Sequence, residues 1–255
     1  MPLLQIKNLT HWFGGLRAVY DFHESLEEGE LVGLIGPNGA GKTTIFNLIC
    51  GIYRPTEGAI ILNGDSLVGF PPHEITSRGI GRTFQKLRLW RHLSVLDTVK
   101  LACSSRLNYG LADALFWTRR CQKQEEAIEE RAYELLGIFG LTQFASARAW
   151  DLPYGSQRRV EMARAMALEP RLLLLDEPTV GMSLREMYDM MDLIREVKEK
   201  FDLTILVIEH RMKMIMNLCE RIKAIDFGEI IAEGTPDEIR SNPRVIKAYL
   251  GKEEF

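Results

Sequence analysis

The residues whose spacing most clearly points to chemistry lie at positions 36–44, which read Gly-Pro-Asn-Gly-Ala-Gly-Lys-Thr-Thr. They match the pattern G-x-x-x-x-G-K-[ST] between an apolar run at 31–35 and a helical pattern at 44–50, the context that a phosphate-binding loop requires. Glycines let such a loop turn tightly, so that successive backbone N–H groups point at phosphate oxygens. The sequence therefore predicts a nucleotide-binding loop formed by Gly36, Pro37, Asn38, Gly39, Ala40, Gly41, Lys42, Thr43 and Thr44.

Three side chains at the end of this loop are expected to meet the phosphates directly. Lys42 would neutralise the β- and γ-phosphates, Thr43 would offer its hydroxyl to Mg²⁺, and Thr44 would touch the α-phosphate. The partial positive charge of the following helix N-terminus favours the same anion. The motif alone predicts nucleotide binding, and it leaves kinases, GTPases and transport ATPases open as classes.

A second group of chemical residues is the carboxylate pair Asp176 and Glu177, which follows a run of leucines at 172–175. Such a run is typical of a central parallel strand, and ligands of these sheets bind at the carboxyl ends of the strands. Asp176 is therefore predicted to hold Mg²⁺, directly or through water, and Glu177 to polarise the attacking water as a base. The alternative is a structural one, in which the strand simply ends in solvent at an acidic pair. The phosphate loop elsewhere in the chain makes this interpretation weaker than the catalytic one.

The pattern of apolar runs predicts a sheet that brings these residues together. Strands of a mostly parallel sheet with helices on both faces are expected at 31–35, 172–175 and 204–208. A hairpin that turns on Gly228 follows them, and the segments 5–9 and 59–62 look like antiparallel strands.

The middle of the chain has a helical period instead. Residues 95–144 are expected to be mainly helical and to form a subdomain inserted into the α/β core. One predicted helix face carries Ile128, Ala132, Leu135, Leu136 and Phe139. Near the C-terminus, Thr235 and Glu238 are spaced as a capping box at the start of a last helix.

The composition fits a globular protein of 255 residues, with 46% hydrophobic and 26% charged residues and a net charge of −3. A negative net charge does not indicate the basic surface by which proteins bind nucleic acid. The cysteines are scattered, without the spacing of a disulfide framework or a zinc site. No stretch approaches the roughly 20 apolar residues that cross a bilayer, so a membrane role is expected to act through a partner.

The order of motifs along the chain resembles that of ATP-binding cassette (ABC) ATPases. An aromatic residue, Phe13, precedes the phosphate loop, and Arg-Thr-Phe-Gln at 82–85 resembles the family's glutamine loop. The segment 152–159, LPYGSQRR, resembles the signature motif, and LLLLDEP follows at 172–178. His210, in Ile-Glu-His, resembles the switch histidine.

The resemblance implies the fold and its division into domains. The fold would be an α/β P-loop NTPase (RecA-like) core with an N-terminal antiparallel β subdomain and an inserted α-helical subdomain. Residues 1–86 and 156–255 would form the core with the β subdomain, and residues 87–155 would form the helical subdomain, which ends in the signature loop.

The resemblance also implies roles for residues outside the phosphate loop. Phe13 would stack on adenine, with Trp12 as the neighbouring alternative. Gln85 would sense Mg²⁺ and the attacking water, and His210 would hold the γ-phosphate and the water. The signature residues that would face ATP held by a second cassette are Tyr154, Gly155, Ser156 and Gln157.

Two segments depart from the family's pattern. The signature reads LPYGS where LSGGQ is usual, so Pro153 stands in place of the serine that contacts the γ-phosphate. Ser183 stands where the family often has aspartate. The first departure motivates the hypothesis that this chain pairs with a different cassette and that the two ATP sites are unequal.

The sequences of several segments resemble those of the ATPases of branched-chain (hydrophobic) amino-acid importers. Examples are RTFQKLRLW at 82–90 and IIAEGTPDEI at 230–239. This resemblance implies two permeases, two cassettes (identical or different) and an extracytoplasmic solute-binding protein. The subunit would be cytoplasmic and would lie on the inner face of the membrane through the permeases, with Arg88, Leu89 and Trp90 near the permease contact.

Other functions remain open at the level of sequence. Importers of urea, amides or other polar solutes use similar cassettes. A soluble ABC ATPase acting on DNA or ribosomes would be expected to carry a long coiled-coil insertion or a second cassette. A nucleotide-driven interaction module without turnover would not need the carboxylate pair, and a small-molecule kinase would not explain the signature or the histidine.

Overall fold

The predicted parallel strands form the central sheet of the computed structural model. The strands of the chain are β1 Leu4–Phe13, β2 Leu16–Leu26, β3 Leu31–Ile35, β4 Glu57–Leu62, β5 Asp65–Ser66, β6 Ile80–Arg82, β7 Leu172–Asp176, β8 Thr204–Ile208, β9 Arg221–Asp226 and β10 Glu229–Gly234. The central sheet has the order β10-β9-β3-β8-β7-β6, and its neighbours are parallel except β9 and β10. Every residue of β3, β7 and β8 is buried, which is why these strands are continuous apolar runs.

A second, antiparallel sheet has the order β2-β1-β4-β5. It confirms the predicted antiparallel strands near 5–9 and 59–62, and it adds β2, which the sequence did not reveal. Buried and exposed residues mix irregularly along β2, and register shifts interrupt its pairing with β1. These irregularities hide the alternation by which a half-buried strand is recognised.

The main α-helices among residues 2–106 and 118–250 are α1 Lys42–Ile49, α2 Pro72–Ser77, α3 Val95–Cys103, α4 Arg119–Ile138, α5 Tyr154–Met166, α6 Leu184–Phe201, α7 Met212–Leu218, α8 Pro236–Ser241 and α9 Pro243–Leu250. Helix α1 begins at Lys42, two residues before the predicted start. It packs Ile45 and Phe46 into one apolar core with residues from both sheets. The capping box at Thr235 and Glu238 is confirmed at the start of α8.

The described residues are 2–106, 113, 115–116 and 118–250. The chain divides into two units, Met1–Arg82 with Pro170–Phe255, and Thr83–Glu169. The domain limits at 86/87 and 155/156 remain sequence predictions. Parts of those predicted domains, including 107–112 and 251–255, lie outside the described residues.

The inserted unit, Thr83–Glu169, is built mainly from α3, α4 and α5. Ser94 caps α3 and Thr118 caps α4, each by accepting a backbone N–H with its hydroxyl. All members of the predicted apolar face of α4 are buried: Ile128, Ala132, Leu135, Leu136 and Phe139. Burial of this face is what holds the helices of the unit together.

Candidate nucleotide-binding site

Two glycines of the loop at 36–44, Gly36 and Gly41, are required by the way the loop packs. Gly36, Gly39 and Gly41 have φ angles of 157°, 81° and 103°. A Cβ atom on Gly36 would lie 2.2 Å from the carbonyl oxygen of Ile225, and one on Gly41 would lie 2.5 Å from that of Ala18. The loop is therefore seated against the backbone of β2 and β9, at distances that no side chain permits.

The lysine of the loop closes over the loop's own backbone. Lys42 is buried, and its Nζ donates to the carbonyl oxygens of Gly36 at 2.6 Å and Pro37 at 3.0 Å. It is also the first residue of α1, whose N-terminal N–H groups have no partner within the helix. An ammonium and a helix N-terminus at one loop make a site for an anion.

The carboxylate of Asp176 is held in a fixed orientation by a buried arginine. Asp176 is the last residue of β7, and its Oδ2 accepts from Arg82 at 3.0 Å. The same guanidinium donates to Oδ1 of Asn47 on α1 at 2.8 Å. Side chains of both ion-pair partners are almost fully buried, at 6% and 2% exposure. Arg82 thus ties the acidic strand to the helix after the phosphate loop, a role that sequence reasoning missed.

Glu177 and His210 come together at the ends of two neighbouring strands. The Oε1 of Glu177 lies 3.4 Å from Nδ1 of His210. Glu177 has a φ of 51°, and its N–H donates to the carbonyl of Ile208 at 2.9 Å. A left-handed backbone costs a residue other than glycine about 1–3 kcal/mol, so the surrounding contacts hold this carboxylate in place. A carboxylate and an imidazole at this distance have the chemistry to orient a water molecule and to accept its proton.

Phe13 belongs to a cluster of three aromatic rings at the end of β1. Its ring is perpendicular to His11, with centroids 4.6 Å apart, and to Tyr53, with centroids 5.1 Å apart. Phe13 remains 42% exposed. The neighbouring Trp12 is exposed to a similar degree and is not part of this ring cluster. The structure therefore gives Phe13 a supported ring with free surface, which suits stacking.

In the inserted unit, Gln85 is connected to the signature helix through its backbone. Arg158 of α5 donates to the carbonyl oxygens of Phe84 and Gln85 and forms a 3.0 Å ion pair with Glu161. Glu161 in turn accepts from the N–H of Phe84 at 3.2 Å. Burial raises the pKa of Glu161, and the charge of Arg158 opposes that rise. This clamp fixes the position of the glutamine loop relative to α5, and sequence reasoning had given Arg158 no role.

The signature residues occupy the first turn of α5. Tyr154 is its first residue and is 38% exposed, and Gly155 and Ser156 follow it. The side chain of Gln157 donates to the carbonyl oxygens of Trp150 at 2.7 Å and Leu152 at 2.9 Å. Gln157 therefore stabilises the turn before the helix, while the backbone N–H groups of the first turn face outward from the helix end.

Ser183, the second departure from the family's pattern, has a structural role. Its hydroxyl accepts the N–H of Glu186, and the carboxylate of Glu186 accepts the N–H of Ser183. These reciprocal bonds cap helix α6. They also lower the pKa of Glu186.

The central sheet, with its glycine loop between a buried strand and a helix, is that of a P-loop NTPase. Within this class, the chain belongs to the ABC transporter family, which it matches over residues 19–180. Residues 229–254 match a second family, described as branched-chain amino acid ATP-binding cassette transporter. The chain is thus an ATPase whose activity is coupled to transport.

Individual relatives cover nearly the whole chain. The high-affinity branched-chain amino acid transport ATP-binding protein BraF of Pseudomonas aeruginosa is 43% identical over 251 residues, 98% of each protein. The ADP conformation of MJ1267, an ATP-binding cassette of an ABC transporter, has a TM-score of 0.86 at 29% identity and covers 99% of this chain and 100% of its own. A dimeric post-hydrolysis structure of the cassette MJ0796 with ADP and Pi has a TM-score of 0.77 at 27% identity, with 91% and 98% covered.

Proposed function

We propose that this chain is the ATP-binding and ATP-hydrolysing subunit of an importer for branched-chain amino acids. The observation that carries the proposal is the pairing of Glu177 with His210 in a chain that is 43% identical to BraF over 98% of both proteins. The pairing supports the hydrolytic step, and the likeness to BraF supports the solute class.

ATP would be held at both ends by residues of the unit formed by Met1–Arg82 and Pro170–Phe255. The exposed ring of Phe13 would stack on adenine, and the loop at 36–44 would surround the phosphates with backbone N–H groups. Lys42 would exchange its contacts with Gly36 and Pro37 for the β- and γ-phosphate oxygens, which are stronger acceptors for an ammonium.

The donor atoms at this site fit Mg²⁺. The hydroxyl of Thr43 and the carboxylate of Asp176 are hard oxygen ligands, and the ion pair with Arg82 keeps one face of that carboxylate fixed. We assign Thr43, Asp176 and Gln85 as the residues that would hold the ion or its waters. When bound, Mg²⁺ neutralises charge that develops on the transferred phosphoryl group.

Hydrolysis would use the pair at the ends of β7 and β8. Glu177 would accept a proton from the attacking water as its oxygen bonds to the γ-phosphorus and the bond to the β-phosphate oxygen breaks. His210 would orient that water and donate to the γ-phosphate. Gln85 would complete the site when the nucleotide is bound. The 8% exposure of Glu177 excludes most bulk water from the carboxylate, which strengthens its interactions with the reacting groups.

The partners follow from the signature turn and from the relatives. Tyr154, Gly155, Ser156 and Gln157 would face the ATP of a second cassette, and the dimeric structure of MJ0796 with ADP and Pi supports a pair of cassettes. Two permeases and an extracytoplasmic binding protein would complete the importer, with this chain on the inner face of the membrane. Among the described residues, no helix is both long and apolar enough to cross a bilayer.

The test is ATP turnover by the chain reconstituted in lipid with the permeases encoded beside its gene, with Glu177→Gln as the inactive control. We expect turnover that needs the permeases and rises with leucine-loaded binding protein, together with leucine uptake. Stimulation by urea or an amide in place of leucine would mean that the importer carries that solute and not branched-chain amino acids. Turnover indifferent to permeases, or stimulated by nucleic acid, would replace the proposal with a soluble ABC ATPase.

A further inference from the structure

Glu209 is a carboxyl group buried beside the hydrolytic pair. It lies between the end of β8 and His210, and none of its surface is exposed. Its Oε1 accepts the hydroxyl of Thr179, which is also fully buried. Its Oε2 is buried without a hydrogen-bond partner. A buried carboxyl with one unsatisfied oxygen weakens a fold, so its presence here needs a reason.

The bond between Thr179 and Glu209 duplicates a nearby link between the same two chain segments. The N–H of Glu177 donates to the carbonyl of Ile208, which joins the end of β7 to the end of β8. Thr179 lies two residues after Glu177, and Glu209 lies directly after Ile208. One link alone leaves the residues after β7 free to rotate about it, whereas two links fix their orientation.

The turn after Glu177 transmits this constraint to the catalytic carboxylate. The N–H of Val180 donates to the carbonyl of Glu177 at 3.3 Å, and that of Met182 donates to the carbonyl of Thr179 at 3.2 Å. Thr179 also contacts the sulfur of Met214 at 3.5 Å, so its hydroxyl is enclosed. Because Glu177 has a left-handed backbone, loss of this support lets it relax to an ordinary conformation that moves its carboxylate.

We propose that Glu209 is a positioning residue for ATP hydrolysis, which acts through Thr179 to keep Glu177 at its contact distance from His210. This inference rests on the proposed hydrolytic roles of Glu177 and His210. It assigns Glu209 no contact with nucleotide, so it separates the rate of the chemical step from the affinity for ATP.

The environment of Glu209 favours its neutral form. Burial raises the pKa of this carboxyl, and the hydrogen bond from Thr179 and the charges of His210 and Arg211 only partly oppose the rise. The negative charge of Glu177 adds to it. A neutral carboxyl and a carboxamide have nearly the same shape, so glutamine should replace Glu209 with little effect.

The experiment compares Glu209→Gln, Glu209→Ala and Thr179→Val in the reconstituted complex, with kcat and the KM for ATP measured separately. We expect alanine to lower kcat by on the order of tenfold or more, since misplacement of a reacting group has costs of this size. The KM for ATP should change less than about twofold, because no contact with nucleotide is lost. Glutamine should retain most of the turnover.

Two comparisons separate a positioning role from general damage. Thr179→Val should lower kcat as Glu209→Ala does, and the double variant should be no worse than either, because both remove one link. Glu24→Ala is the matched control. It removes a buried carboxyl that pairs with Arg221 at 2.8 Å and Lys223 at 3.3 Å, so it should lower the melting temperature without lowering kcat.

Three outcomes overturn the inference. These are full kcat in Glu209→Ala, additive losses in the double variant, and a Glu209→Gln variant as slow as alanine. Failure of the proposed function would look different. In that case Glu177→Gln itself would keep its turnover, whatever the behaviour of the Glu209 variants.

Discussion

At the scale of single residues, the proposed hydrolysis depends on a carboxylate that is held on an unfavourable backbone. Glu177 has a φ of 51° and a side chain that contacts His210 at 3.4 Å. Glu177→Gln keeps the size of the side chain and removes its basicity. We expect it to bind ATP with nearly the affinity of the parent chain and to lose turnover by at least 100-fold, the scale of general-base catalysis. Single-turnover hydrolysis and equilibrium ATP binding measure the two effects, and near-normal hydrolysis would contradict the assignment.

The ring cluster around Phe13 makes a second prediction at this scale. His11 is buried, neither of its ring nitrogens has a hydrogen-bond partner, and it packs against Phe13 as an aromatic ring. Perpendicular ring pairs contribute about 0.5–1.5 kcal/mol, so His11→Ala should raise the KM for ATP by about two- to tenfold and leave kcat unchanged.

His11→Phe, which restores a ring, is the matched control and should keep the parent KM. In a Phe13→Ala background the His11→Ala change should add nothing further. A rise in KM that is the same with and without Phe13 would show that His11 acts by another route.

At the scale of elements, the connection from β3 to α1 depends on glycines for two separable reasons. Gly39 has a φ of 81° and open space where a Cβ would stand, whereas Gly41 combines a φ of 103° with a carbonyl oxygen 2.5 Å from that point. Alanine at Gly39 is strained, and alanine at Gly41 must also displace β2. We expect Gly41→Ala to reduce ATP affinity and melting temperature much more than Gly39→Ala, measured by nucleotide titration and thermal unfolding. Equal effects would show that backbone strain alone governs the loop.

Elements also differ in how far the sequence predicts them. The strands β3, β7 and β8 were predicted within one residue because burial on both faces makes them unbroken apolar runs. Strand β2 was missed because its buried and exposed residues do not alternate regularly. Their order depends on how the strand packs against other elements. The phosphate loop, Asp176 and Glu177 were visible as a motif and a carboxylate pair.

Arg82, Arg158 and Glu209 were different, since their roles come from partners far away in sequence. Arg82 meets Asp176 only after β6 pairs with β7, and Glu209 meets Thr179 only after β7 pairs with β8. For Arg82 and Glu209, the signal in the sequence was an ionisable residue at the end of an apolar strand. Arg158 lies within helix α5 and carried no such signal. The strand-end signal predicts a place at the carboxyl edge of the sheet, and it does not identify the partner.

At the scale of the whole molecule, the carboxyl of Glu209 makes the free energy of unfolding depend on pH. Its folded-state pKa lies above the ordinary value of about 4.5, mainly because of burial. Glu177 adds to this rise, and Thr179, His210 and Arg211 oppose it. As the pH increases above that value, the unfolded chain releases a proton that the folded chain retains, so stability is lost until the folded-state pKa is passed.

Glu209→Gln has no proton to lose at this position. Its unfolding free energy relative to the parent chain should therefore increase as the pH is raised from below 4.5 towards neutrality. Urea denaturation of both proteins at a series of pH values measures the difference, in which contributions from other groups cancel. A difference that stays constant across this range would contradict the raised pKa.

The pairing of β6 with β7 has a consequence for how the chain folds. These strands are neighbours in the sheet, with Ile80 opposite Leu172, although the inserted unit separates them along the chain. Closing so long a flexible segment costs conformational entropy that grows with the logarithm of its length. Folding of the insert before the strands pair shortens the flexible part of this segment and so lowers that cost. The order of folding events thus bears on the site itself, because Arg82 and Asp176 lie on the two strands that this segment joins.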